Sequence, residues 1–150
     1  MKFDSVLICG SRDWNDQEIV DKIIFILKHR YKVHTLIEGE ANGADKQARL
    51  AGEKYGLKIK AFPAEWNKFG KGAGPIRNAK QLREGKPDIV VAFHDDLYNS
   101  KGTLDMVKKA MSSPRDIIII VVFHDKRGEK PYKWVWSGPS VEGFTINEQE

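Results

Sequence analysis

The 150-residue chain lacks several features that would settle its chemistry at once. It has one cysteine, Cys9, so neither an internal disulfide nor a sulfur-rich metal site can form, in keeping with a reducing compartment. Cys9 lies in the apolar run 5–9 and reads as a packed thiol rather than a nucleophile. The four histidines, His29, His34, His94 and His124, are scattered without ligand spacing, and no metal is expected. No stretch approaches the roughly 18 to 20 apolar residues of a membrane span, and the first ten residues lack the order of a secretory leader. The expectation is a cytoplasmic protein with no membrane contact. No G-x-G-x-x-G follows the first predicted strand, and neither a G-x-x-x-x-G-K-[ST] run nor a nucleophile elbow occurs, so a dinucleotide-dependent dehydrogenase, a P-loop ATPase and any resident cofactor are disfavoured.

What is present is a basic, well-patterned chain. Twenty-five Lys and Arg against 21 Asp and Glu give a formal charge of +4, which favours anionic partners such as nucleotides or nucleic acids. A 41% hydrophobic content at this length fits one compact unit with a real core. Short β-branched runs at 5–9, 34–39, 57–62, 88–93 and 116–123 read as strands. Helical patterns lie between them. In 16–30, Ile19, Val20, Ile23, Ile24 and Leu27 share a face, and Asn15 followed by Glu18 resembles a capping box. A second helix runs from Ala44 to Tyr55 and stops at Gly56. A third begins at Pro75 and buries Ile76, Ala79 and Leu82, and a fourth runs from Thr103 to Met111 with Leu104, Val107 and Met111 facing inward.

Strands alternating with helices predict an α/β fold, a three-layer Rossmann-like parallel sheet of order 3-2-1-4-5 spanning residues 1–123. Residues 124–150 form a C-terminal extension. Their aromatic alternation, Tyr132, Trp134 and Trp136, suits an added edge strand, packed on the domain or paired across a homodimer. Ligands of such sheets bind outside the carboxyl ends of the strands where the order reverses. Four turn segments converge there. The first, 10–14, offers Gly10, Ser11 and the fixed cation of Arg12, with Trp14 beside them. The second, 39–45, offers Gly39 and Gly43 for close backbone approach and Asp45 for a ribose hydroxyl. The third is the run GKGAGPIRN at 70–78, where Gly74 precedes Arg77 and Asn78. The fourth, 94–105, brings Ser100, Gly102 and Thr103 to a helix start suited to an anion.

These motifs, GSRDW, GEANGADKQARLAGEK, PAEWNKFGKGAGPIRN and NSKGTLDM, resemble in order and spacing the YspA-like branch of the SLOG superfamily of Rossmann-like nucleotide-binding proteins. The resemblance covers residues 5 to about 122. It implies that Gly10, Ser11, Arg12, Gly39, Gly43, Asp45, Arg77, Asn78, Gly102 and Thr103 line a pocket for a nucleotide or nucleotide-derived phosphate ligand, either sensed or cleaved at its N-glycosidic bond. A second branch of the superfamily, the DNA-processing protein A family, implies single-stranded nucleic acid as the alternative partner. The phosphoribohydrolases of the superfamily carry P-G-G-x-G-T-x-x-E. Here YNSKGTLDM puts Met106 at the glutamate position. N-glycoside cleavage needs a carboxylate beside the developing cation. Asp95, Asp96, Glu38 and Glu40, near strand ends, are the nominated substitutes, with His94 as a minor acid-base candidate.

Overall fold

A computed structural model of the chain describes residues 2–124, 132–136, 138 and 141–148. The other residues of the expected extension, at 125–131, 137, 139–140 and 149–150, lie outside the described residues. The elements are β1 (Ser5–Gly10), α1 (Gln17–Tyr31), β2 (Thr35–Glu38), α2 (Ala44–Lys54), β3 (Lys58–Ala61), α3 (Trp66–Phe69), α4 (Ala73–Lys80), β4 (Ile89–Phe93), α5 (Gly102–Met111), β5 (Ile118–Phe123) and β6 (Lys133–Trp136). They build one sheet of order β3-β2-β1-β4-β5-β6. The first five strands are parallel in the expected order, and β6 joins antiparallel to β5 with Trp136 opposite Ile120.

The β pleat sends alternate side chains to opposite faces, and here each face has its own core. Val6 and Ile8 of β1, with Val91 and Phe93 of β4, meet the apolar face of α1 and the alanine face of α2. Leu7, Val90 and Ala92 meet Met106, Val107 and Ala110 of α5. Fully burying an isoleucine or leucine stabilises by about 1.5–3 kcal/mol, so Ile23, Ile24 and Leu27, all fully buried, fix α1 on the sheet. β3 is an edge as expected. Its residues are only exposed to half-buried, and among the described residues it pairs with β2 alone.

Four local expectations are corrected. The N-cap of α1 is Asp16, whose Oδ1 accepts from the Ile19 N–H at 3.3 Å; Asn15 stands one residue outside. The third helix starts before the expected Pro75, since a tight 3₁₀ turn at Gly70–Gly72 leads into α4 at Ala73. α4 also rests on a different face, burying Ala73, Gly74, Asn78 and then Gln81 while Ile76 is exposed. Likewise α5 buries Thr103, Met106 and Ala110 beside Val107, leaving Leu104 half-buried and Met111 exposed. Both helices use small and polar residues where they face the carboxyl edge, which apolar periodicity cannot show. Among the described residues, no helix is long and apolar enough to cross a membrane.

Candidate functional site

A cleft of about 520 Å³ opens at the carboxyl edge of the sheet, between the turn after β1, the paired helices α3 and α4, and the start of α5. Its floor is Ile8, Cys9 and Gly10. Arg12, Lys71, Arg77 and Lys101 bring four cations to its lining, against two carboxylates, Asp13 and Asp45. Trp66 forms an aromatic wall, 47% exposed, with the Arg12 guanidinium 5.7 Å from its ring centroid. The excess of positive charge, the aromatic surface and a helix start in one concavity suit an anionic ligand with a planar group.

Arg77 is aimed by its neighbours. Its Nη1 donates to the Gly39 carbonyl at 2.6 Å and its Nε to Asn78 Oδ1 at 3.1 Å. The Asn78 amide in turn donates to the Gly102 carbonyl at 3.1 Å and to Asp105 Oδ2 at 3.0 Å. Asn78 therefore ties α4 to α5 and orients the arginine, with all its main polar capacity engaged. Asp105 also holds Lys109 at 2.7 Å, so it belongs to this knot and does not line the cleft.

Asp45 is buried, and its Oδ2 accepts from the Gly39 N–H at 3.0 Å and the Ala41 N–H at 3.2 Å. Burial pushes its carboxyl up to about 6, against those two bonds and the nearby Arg77 and Arg12 charges. The carboxylate lies at the cleft wall in reach of its proton near neutrality. Cys9 keeps some surface on the cleft, yet burial and then the Asp45 charge push its thiol well above the usual range, so it stays neutral and unreactive. At the start of α5 the Thr103 N–H donates to Ser100 Oγ at 3.1 Å, so one amide of the expected anion cradle is already capped. His94 lines the cleft, its Nδ1 accepting from the Asp96 N–H at 2.9 Å, which places its proton on Nε2.

Residues 5–69 match the family model described as the YspA, cpYpsA-related SLOG family. The gene 61 protein of Mycobacterium phage D29 is 32% identical over 127 residues, covering 81% of this chain and 97% of that protein. The chain belongs to the YspA, cpYpsA-related SLOG family. The crystal structure of DNA processing protein A from Streptococcus pneumoniae has a similar fold, with a TM-score of 0.59 at 21% identity over 78% of this chain. The chain spans half the length of that protein.

Within this SLOG fold, ten of the nominated binding residues line the cleft: Gly10, Ser11 and Arg12 from the first turn, Asp45 from the second, Gly74, Arg77 and Asn78 from α4, and Ser100, Gly102 and Thr103 from the fourth. Three do not. Trp14 is buried behind the first turn, stacked on His124 with centroids 4.5 Å apart and packed against Phe93. Gly39 and Gly43 lie at close contacts between segments, outside the cleft lining. A Cβ on Gly39 would run into the Arg77 guanidinium, and Gly43, at φ +72°, lies against the Ser11 and Arg12 backbone.

The four nominated acids also lie outside the cleft lining. Glu38 is buried, facing Arg49 at 3.5 Å and accepting from the Glu40 N–H; burial raises its carboxyl above the usual range. Glu40 turns to Arg49 at 3.4 Å. Asp95 bonds His124, and Asp96 accepts from the Asn99 amide at 2.9 Å. Met106 is fully buried in the core beneath α5. The cleft also contains residues left out of the nominations, above all Gln81, Trp66, Lys71 and Lys101. Gln81 had a readable signal, since it follows Asn78 by three positions and Arg77 by four, on one helical face.

Proposed function

We propose that the protein binds a nucleotide or nucleotide-derived phosphate ligand in this cleft and holds it without cleaving it. The observation that carries the reading is the convergence of Arg12 and Arg77, from segments 65 positions apart, on one concavity that also contains Trp66, Lys71, Lys101 and the start of α5. Guanidinium groups and a helix start suit phosphate, and an indole face suits a base. Retention in place of turnover is supported by the chemistry of the acids. Met106 stands in the core where the hydrolases of the superfamily carry glutamate, and the buried carboxylate in the cleft, Asp45, is occupied by two backbone amides beside Arg77.

The test is thermal denaturation with nucleoside mono- and diphosphates and ADP-ribose, followed by mass spectrometry of the supernatant. A ligand present at a hundredfold its Kd stabilises by about 2.7 kcal/mol. Stabilisation with no free base released is the expected result; release of base would make the protein a hydrolase, and no stabilisation by any would remove the nucleotide reading.

A second groove favours single-stranded nucleic acid as an alternative. It holds about 450 Å³, shares Arg77 with the cleft and is lined by Lys60, Phe62, Phe69 and Lys80, its three cations set against Glu65 and Glu84. Interleaved cations and aromatics of this kind follow a strand and stack its bases. Affinity for oligonucleotides that grows with length and falls steeply with salt would select this reading over the small ligand.

A further inference from the structure

Of the buried side-chain atoms without a hydrogen-bond partner among the described residues, one belongs to a residue of the cleft lining: Nε2 of Gln81, a residue only 2% exposed. Buried amides are almost always paired, and an unpaired donor is destabilising unless something outside the chain pairs it. Its neighbour Asn78, one helical turn earlier, shows the contrast, since its amide is saturated by Gly102, Asp105 and Arg77. The helix also changes character at this residue. α4 ends at Lys80, and Gln81–Gly85 continue as a wider π-type turn, a local irregularity frequent at functional sites.

The surroundings of that donor say what it can receive. The floor of the cleft is apolar or neutral, made by Ile8 and the Cys9 thiol that burial keeps protonated. The buried acid Asp45, which lines the same cleft, would repel a phosphate dianion placed against it. Arg12, Lys71 and Lys101 are instead exposed at the rim, where Gly102 opens α5. Charge thus belongs outside and a neutral acceptor inside.

We infer that Gln81 is a specificity-determining residue whose side-chain amide receives a carbonyl oxygen or ring nitrogen of the nucleobase, so that the ligand lies base inward and phosphate outward. This rests on the reading of the cleft as a nucleotide site. It goes further in assigning the ligand's direction and the group that reads its base.

The experiment compares the wild type with Gln81→Met, which keeps length and removes the donor. The probes are AMP, GMP, UMP, CMP, ADP-ribose and, as the ligand without a base, ribose 5-phosphate, each titrated by calorimetry. The variant is expected to lose roughly tenfold in affinity for whichever nucleotide the wild type binds best, the loss that one missing hydrogen bond produces. Its affinity for ribose 5-phosphate should be unchanged, and without ligand it should melt at or above the wild type, because an unpaired donor has been removed. Equal nucleotide affinity in the two proteins, or a parallel fall for ribose 5-phosphate, would overturn the assignment. Should the variant not fold, the ¹⁵N side-chain amide resonance of Gln81 in the wild type decides: it should move with the nucleotide and stay fixed with ribose 5-phosphate, and a resonance indifferent to both rejects the inference. A wild type that binds none of the probes defeats the nucleotide reading and this inference together, whereas a wild type and variant that bind alike defeat this inference alone.

Discussion

Arg77, in the cleft lining, donates from Nη1 to the Gly39 carbonyl at 2.6 Å, and the contact is so close that any side chain at 39 would occupy the guanidinium's place. Gly39→Ala should therefore expel Arg77 and weaken binding of a phosphate ligand by about tenfold, the scale of a charge-assisted hydrogen bond. Calorimetric titration checks it. An alanine variant that binds as the wild type does would show that Arg77 takes no part.

Asn78 joins two helices and an arginine through three hydrogen bonds. Asn78→Ala leaves Asp105 and the Gly102 carbonyl without that partner, and should destabilise the fold by about 2–3 kcal/mol in urea unfolding. Asn78→Asp should be worse than a loss of donors alone, because it sets a second carboxylate beside Asp105. Near-wild-type stability in both would contradict the knot described between α4 and α5.

The pH dependence of Asp45 has a definite sign. Its carboxyl is raised from 3.8 to about 6 in the fold, so the folded state holds the proton more tightly than the unfolded chain. Stability from this group is greatest below 3.8, declines as pH rises toward 6, and is fully lost above that. The shift corresponds to something on the order of 3 kcal/mol. Asp45→Asn retains an oxygen for the Gly39 and Ala41 amides, so it should flatten the stability profile across this window and be the more stable protein at neutral pH. Urea unfolding between about pH 4 and about pH 8 measures it, and parallel profiles would refute the buried, proton-holding acid.

His124 behaves in the opposite sense. Burial disfavours its charged form, but hydrogen bonds to Asp16 at 2.8 Å and Asp95 at 2.9 Å, with their charges, outweigh it and raise the ring above its usual 6.5. A raised base stabilises fully below the unfolded value of 6.5 and loses that contribution as pH climbs through its folded value. His124→Gln should accordingly be less stable than the wild type under mildly acidic conditions, with the gap closing in alkali. Melting curves across that range test it; a gap independent of pH would mean that His124 acts only by stacking on Trp14.

The parallel strand order was legible because β-branched runs and helical faces repeat in a regular alternation, and physical rules permit few ways to wind them. Ten of the cleft's residues were legible for a related reason: a known order of strands fixes which turns share an edge. Trp14, Gly39 and Gly43 fall outside the cleft lining because a turn residue can face a ligand or another turn with the same local sequence. For the two glycines the deciding partners, Arg77 and the 11–12 backbone, are distant in the chain. The four acids lie outside the lining for the same reason. Glu38 and Glu40 turn to Arg49, Asp95 to His124 and Asp96 to Asn99, contacts set by packing that no spacing announces. Gln81 escaped notice because an apolar stripe was sought on α4, whereas the helix buries a polar one.

β6 lies along the outer side of β5, and Phe144 stacks on Tyr31 with centroids 4.6 Å apart, while Ile146 is fully buried beside α1. A version cut short after Phe123 would bare both a row of ladder groups along Ile118–Phe123 and the oily patch these residues cover. Such a fragment would self-associate through its naked edge. Attempts to trim the molecule to its cleft would thus yield precipitate in place of a smaller binder.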